Sequence, residues 1–213
     1  MRRNREINWG LYVVLDTSLV GQRNPLDLAQ AVLAAGAAVL QVRAKQWSIR
    51  QQVTLIKALL LVTQAFCVPL IVNDHIDVAL ATGADGVHLG ADDMPVRLAR
   101  QIFPDGILGY SPEDTEDARR AAGEGADYLG CGPFAATSTK PDAGQAIGAE
   151  GITRMVQAVT IPVIAIGGIN RSNMLEAIRA GAVGVAVASA VIASLDPAES
   201  VHELCAILSE GKT

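Results

Sequence analysis

The chain is short of the residues that would staple it together or seat it on a large polyanion. It has three cysteines, Cys67, Cys131 and Cys205, odd in number, far apart and without CxxC or Cys/His metal spacing. That excludes a disulfide framework and a structural zinc site, and leaves reduced, mostly buried thiols of a cytosolic protein. Aromatics are few, with two Trp, three Tyr and three Phe, and the net charge is -5 with Lys and Arg scattered along the chain. With no basic stripe and no basic-aromatic interleaving, nucleic-acid binding has no footing. Long apolar runs are missing as well. The start MRRNREINWG is charged like a signal n-region, but the run behind it stops at Asp16, which is too short for a secretory signal. The longest uncharged stretch, Ala180 to Leu195, is rich in Gly, Ala and Ser and alternates like a strand, so no membrane span is expected. A cytoplasmic, soluble protein is the expectation, and 213 half-hydrophobic residues can bury the core of one large α/β domain.

What is present is a repeat. Gly36 to Arg43 (GAAVLQVR), Gly83 to Gly90 (GADGVHLG), Gly125 to Gly132 (GADYLGCG) and Gly181 to Ala188 (GAVGVAVA) align without gaps. A helical pattern precedes each, so its Gly stands where a helix end needs a left-handed residue before the chain enters a strand. Between them lie four further apolar runs, Leu11 to Asp16, Leu70 to Asp74, Ile107 to Ser111 and Val163 to Gly168. Eight strands alternating with helices predict a single-domain (β/α)8 barrel, residues 1–10 being an N-terminal extension. Asp196, Pro197 and Glu199 mark the start of the last helix. Gly130 to Ala135 (GCGPFA) matches a dinucleotide fingerprint, but Pro133 and the turn residues behind it do not open a helix, so that reading is rejected.

In such a barrel the strand C-termini and the loops after them build the active site. Polar groups gather there in sequence: Asp16, Gln41, Arg43 and Lys45, Asn73 and Asp74, Asp93, Ser111, then Thr137, Thr139 and Lys140, Gly167 and Gly168, and Ser189. Any one of these is an ordinary polar strand end; the set is not. Lys45 and Lys140, two of only four lysines, stand with Arg43 as a positive cluster suited to a polyphosphate. Asp74 and Asp93 leave neighbouring strands about 4.8 Å apart, and Mg²⁺ is commonly held by one or two carboxylates with phosphate oxygens and waters. Gly167-Gly168 and Ala188-Ser189, after strands 7 and 8, predict a second anion site made of loop amides and a short helix start. His88 should point into the barrel near the mouth, as packing more than as chemistry; His75 and His202 read as helix-surface residues.

These residues resemble the thiamine-phosphate synthase family from Leu11 to about Ser209. The resemblance rests on the opening strand LYVVLD, Gln41-x-Arg43-x-Lys45, Asn73-Asp74, GADGVHLG followed by Asp93, Ser111, Gly132-Pro133 with Thr137-x-Thr139-Lys140, VIAIGGI, and GVAVASAVI with Ser189. It implies a (β/α)8 barrel that, with Mg²⁺, joins a hydroxymethylpyrimidine diphosphate to a thiazole phosphate or its carboxylated form. The products are thiamine phosphate and diphosphate, formed by dissociative loss of the diphosphate. It further implies that Gln41, Arg43, Lys45, Asn73, Ser111 and Lys140 hold the pyrimidine diphosphate, with Arg43, Ser111 and Lys140 as the catalytic groups. Asp74 and Asp93 would bind Mg²⁺, and Thr137, Thr139, Gly168, Ala188 and Ser189 the thiazole phosphate. The partners implied are these small molecules, in a chain compatible with a homo-oligomer. The pattern departs from the family at Ala44, where an acid is usual, and at Ala91, where Gln is usual. Two other readings stay open: a thiazole tautomerase of the same fold, which typically has His where Ser111 stands, and a non-catalytic barrel that binds thiamine phosphates.

Overall fold

The structure, a computed structural model, describes residues 7–137, 139 and 144–211. Its strands are β1 (Leu11–Asp16), β2 (Val39–Arg43), β3 (Leu70–Asn73), β4 (Gly86–Leu89), β5 (Ile107–Tyr110), β6 (Tyr128–Cys131), β7 (Val163–Ile166) and β8 (Gly184–Val187). Its helices are α1 (Pro25–Ala34), α2 (Ile49–Ala65), α3 (Ile76–Thr82), α4 (Val96–Ile102), α5 (Thr115–Glu124), α6 (Gly148–Ala158), α7 (Met174–Arg179), α8 (Ser189–Ile192) and α9 (Pro197–Glu210). Each strand pairs in parallel with the next, and β8 closes on β1 with Leu11 opposite Val185. This is the predicted (β/α)8 barrel. Among the described residues no helix is long and apolar enough to cross a membrane.

The repeat has a structural cause. Gly36, Gly83, Gly125 and Gly181 all take positive φ, between 73° and 111°, a conformation that costs a residue without Cβ little. Two residues on, the N–H groups of Ala38, Asp85, Asp127 and Val183 donate to Leu11, Leu70, Leu108 and Val163 at the start of the preceding strand, at 2.7 to 3.1 Å. The turn therefore sets the register of each new strand. Where the third residue is Asp, its carboxylate also accepts from the same neighbour: Asp85 from Leu70 N at 3.0 Å and Asp127 from Leu108 N at 2.8 Å. At the last helix Asp196 caps α9 by accepting from Glu199 N at 3.0 Å, with Pro197 in the first turn, as the sequence predicts.

Two cores result. One lies between the strands and the surrounding helices; the other fills the barrel with Tyr12, Val14, Val39, Ile71, Tyr128, Ile164 and Ala186. Trp9 belongs to the inner core, its ring centroid 4.5 Å from that of Tyr128, and Gly10 O accepts from Val185 N. The expectation that residues 1–10 form an extension therefore fails at Trp9 and Gly10, which plug the end of the barrel opposite the mouth. Asp74 and Ser111, expected to end strands, stand one residue beyond β3 and β5. After β6 the chain crosses a cis Gly132–Pro133 bond, and among the described residues the next helix starts at Gly148, so the described residues after Cys131 do not open a helix at once as a dinucleotide-type turn would. None of the three cysteines is in a disulfide, but only Cys131 is buried, and burial pushes its thiol up to about 12; Cys67 is exposed.

Candidate active site

The mouth is a cavity of about 570 Å³. Gln41, Arg43 and Lys45 of β2 and its loop, Asn73 at the end of β3 with Asp74 just after it, and Asp93 after β4 line one arc. Thr137 and Thr139 after β6, Gly168 after β7, and Ala188 and Ser189 after β8 line the arc across from it, with Ser111 between. Every predicted site residue among those described is thus brought to one cavity; Lys140 lies outside the described residues. Sequence reasoning missed Tyr12 and Tyr128, which form the floor together with His88. A tyrosine in an alternating strand carries no signal that separates a floor residue from core packing. His202 is on the surface of α9, facing Glu199, whereas His75, expected on a helix surface, is the N-cap residue just before α3, facing Asp77.

On the first arc the cations are already matched. Arg43 Nη1 is in direct contact with Asp16 Oδ2, the two residues facing each other in register across β1 and β2. Asp16 is buried and also accepts from Ser18 N at 2.9 Å and Ser18 Oγ at 2.6 Å. Lys45 Nζ lies 3.5 Å from Asp74 Oδ2. The lining residues include five acids, Asp16, Asp74, Asp92, Asp93 and Glu113, against two bases, Arg43 and Lys45. The positive cluster expected from sequence is therefore offset by carboxylates among the described residues, and a polyanion entering here needs further positive charge.

The two acids expected to bind Mg²⁺, Asp74 and Asp93, are each set by their local backbone. Asp74 has φ 64°, a left-handed conformation uncommon outside glycine, and its N–H donates to His88 O at 2.8 Å, so the carboxylate is turned out of the strand toward the next loop. Asp93 is held by its own turn, Oδ2 accepting from Gly90 N at 2.7 Å. Burial pushes the Asp74 carboxyl above the usual carboxylate range, and the neighbouring charge of Asp93 pushes it further, against the pull of Lys45. Asp92, beside Asp93, is exposed. Of the two departures in sequence, Ala44 packs into the outer core and adds nothing to the mouth, whereas Ala91 is exposed on its rim.

The opposite arc is built of backbone and hydroxyls. Gly167 and Gly168 take φ 87° and 67°, and a Cβ on Gly168 would lie 2.5 Å from Ala135 O, so the turn needs glycine for both shape and space. Asn173 Nδ2 fastens it by donating to Gly168 O at 2.9 Å. The loop after β6 lies along this turn, with Phe134 N donating to Ile166 O at 2.8 Å and Ala135 N to Gly167 O at 3.0 Å. That brings Thr139 Oγ1 within 3.2 Å of Ser189 Oγ, to which it donates. The two hydroxyl groups predicted from separate stretches therefore meet.

Fold and mouth together define the class: a single-domain (β/α)8 barrel with a polar cavity at the C-terminal ends of its strands, where barrels of this kind build their active sites. Residues 11–191 match the family described as thiamine monophosphate synthase. The chain is 49% identical over 205 residues to a thiamine-phosphate synthase of Herpetosiphon aurantiacus, covering 96% of this chain and 99% of that one. A thiamine-phosphate synthase of Chloroflexus aurantiacus is 47% identical over 203 residues, covering 95% and 94%. Among solved structures, a thiamine phosphate pyrophosphorylase from Pyrococcus furiosus superposes with a TM-score of 0.89 at 38% identity, covering 97% of this chain and 98% of that one. This chain belongs to the thiamine monophosphate synthase family.

Proposed function

We propose that the chain catalyses the condensation its family is named for. It joins 4-amino-2-methyl-5-hydroxymethylpyrimidine diphosphate to 4-methyl-5-(2-phosphoethyl)thiazole or its carboxylated form, giving thiamine phosphate and diphosphate. The observation that supports the layout is that two dissimilar sets of polar groups, charged side chains on one arc and a glycine turn with hydroxyls on the other, line one cavity of a closed barrel. In this reading Gln41, Arg43, Lys45, Asn73, Ser111 and Lys140 receive the pyrimidine diphosphate, and Thr137, Thr139, Gly168, Ala188 and Ser189 receive the thiazole phosphate. The reacting carbon and nitrogen then meet over the barrel axis, and the entropic cost of bringing two solutes together is met by binding.

The family implies Mg²⁺, and the donor set fits it. Asp74 and Asp93 would be hard oxygen ligands; burial and then the neighbouring charge of Asp93 push the Asp74 carboxyl up, and a divalent cation would relieve that repulsion. Among the described residues no group of three His, Cys, Asp or Glu side chains is placed to hold a metal, which suits an ion completed by substrate oxygens and water. When bound, Mg²⁺ supplies charge neutralisation for the departing diphosphate. The chain's own part is to hold the leaving group with Arg43, Lys45 and Lys140, to donate a hydrogen bond from Ser111, and to keep the diphosphate from recombining while the thiazole nitrogen attacks. No side chain is asked to move a proton to the reacting carbon, so electrostatic placement carries the rate.

Mixing both substrates with the purified chain and Mg²⁺ is expected to release diphosphate and thiamine phosphate in equal amounts. Binding of both ligands without diphosphate release would make this a carrier and sink the transferase reading. The two seats are separable by one substitution. Ser189→Asp puts a charge where the thiazole phosphate is proposed to lie, and is expected to weaken that ligand at least about tenfold while leaving inorganic diphosphate binding within about twofold. Calorimetry with each ligand reads both, and equal weakening of the two would show that the arcs are wrongly assigned.

A further inference from the structure

A line of five polar side chains crosses the barrel floor. Gln41 Nε2 donates to the Tyr12 hydroxyl at 2.8 Å; the Tyr12 and Tyr128 hydroxyls are 2.9 Å apart; Tyr128 Oη is 3.0 Å from His88 Nδ1; and His88 Nε2 is 2.8 Å from Ser111 Oγ. Both phenols are fully buried, and burial pushes each above its ordinary range, so both keep their hydrogens. Hydrogen accounting then runs one way. Tyr12 accepts from Gln41, so its single hydrogen goes to Tyr128. Tyr128 accepts it and gives its own hydrogen to His88 Nδ1. That nitrogen is therefore an acceptor, the ring is the neutral Nε2–H tautomer, and Nε2 donates to Ser111. The hydrogen of Ser111 is not needed in the floor and is free to point into the cavity that Ser111 lines. The reverse direction would spend that hydrogen on His88 and turn only lone pairs toward an incoming anion, inside a mouth already rich in carboxylates.

We infer that Tyr12, Tyr128 and His88 are positioning residues that fix Ser111 as a hydrogen-bond donor to an anionic oxygen in the cavity. The inference rests on the reading of Ser111 as a ligand of the pyrimidine diphosphate. A lone serine hydroxyl turns among several rotamers and donates wherever an acceptor lies. One that already accepts from a fixed N–H has lost that freedom before the ligand arrives, which strengthens binding through preorganisation.

The tautomer is read directly by ¹⁵N NMR in a chain whose two other histidines are replaced, His75→Gln with His202→Gln, so that His88 gives the only imidazole signals. A neutral ring protonated at Nε2 and accepting at Nδ1 is expected; a ring protonated at Nδ1 would overturn the inference without any ligand present. Tyr128→Phe then removes the hydrogen given to Nδ1 and keeps the ring against Trp9. Affinity for inorganic diphosphate with Mg²⁺ is expected to fall about tenfold, as for a lost hydrogen bond to a charged group. In a Ser111→Ala background the same change is expected to have no further effect, because the line has nothing left to aim. Tyr12→Phe repeats the cycle one link further back, with a smaller loss, and serves if the first variant does not fold. Equal losses in both backgrounds, or none in either, would overturn the relay and leave the proposed function standing. A wild-type chain that binds no diphosphate and releases none in turnover would overturn that function and the relay together.

Discussion

Replacing Asp93 by asparagine is expected to raise the Mg²⁺ concentration needed for half-maximal turnover by about tenfold or more, equivalent to about 1.4 kcal/mol of ion binding. Asp92→Asn is expected to leave it nearly unchanged. The two acids are adjacent in sequence, and only their surroundings separate them: Asp93 is partly buried, tied to Gly90 N and close enough to raise the Asp74 carboxyl, whereas Asp92 is exposed. An asparagine oxygen can still accept from Gly90 N, so the loop keeps its shape while the charge is lost. The sign of the stability change follows from linkage. A carboxyl whose folded pKa is raised opposes folding once pH climbs above that pKa, and Asp93 is one cause of the rise in Asp74. In metal-free buffer near neutral pH, Asp93→Asn is therefore expected to melt no lower than wild type. Lower stability with an unchanged Mg²⁺ requirement would make the pair structural. An inverted ranking of Asp92 and Asp93 would mean the loop presents the other acid.

The barrel was legible because its turns are made of sequence: a glycine that must be left-handed, followed by a residue whose N–H reaches back to the preceding strand, repeats four times and leaves an unmistakable spacing. Strand-end polar residues were legible for the same reason, since β-alternation and a parallel barrel bring all C-terminal ends to one face. What was not legible depends on contacts between strands. That Arg43 and Lys45 are already faced by Asp16 and Asp74 follows from strand register and from the unusual φ of Asp74, neither of which spacing alone reports. Tyr12 and Tyr128 look like core residues in any alternating run, and their hydroxyls acquire a role only because His88 and Gln41 arrive from other strands. The join between Thr139 and Ser189 likewise depends on how the loop after β6 lies along β7.

Gly109→Ala is expected to be strongly destabilising, and the register explains it. His88 on β4, Gly109 on β5 and Tyr128 on β6 stand side by side, so the two flanking strands are about 9.6 Å apart across the glycine, twice the usual spacing. Their side chains nevertheless meet, with Nδ1 to Oη at 3.0 Å, because nothing projects from between them. A Cβ at Gly109 would lie 2.2 Å from Tyr128 Cζ and 2.4 Å from both His88 Nδ1 and Tyr128 Oη. Neither ring can swing aside cheaply: Tyr128 is fully buried against Trp9 and both rings are hydrogen-bonded at their polar atoms. The cost should reach the upper end of overpacking, about 3 kcal/mol, or about 6 to 12 °C in melting temperature for a chain of this size. Gly123→Ala is the matched control, since Gly123 is in α5 with open space around its would-be Cβ, and it is expected to gain about 0.5 to 1 kcal/mol from helix propensity. Thermal melts of the two variants decide the matter. A Gly109→Ala chain as stable as wild type would mean that the floor yields to a methyl group, and the rings could not then be holding Ser111 in a fixed direction.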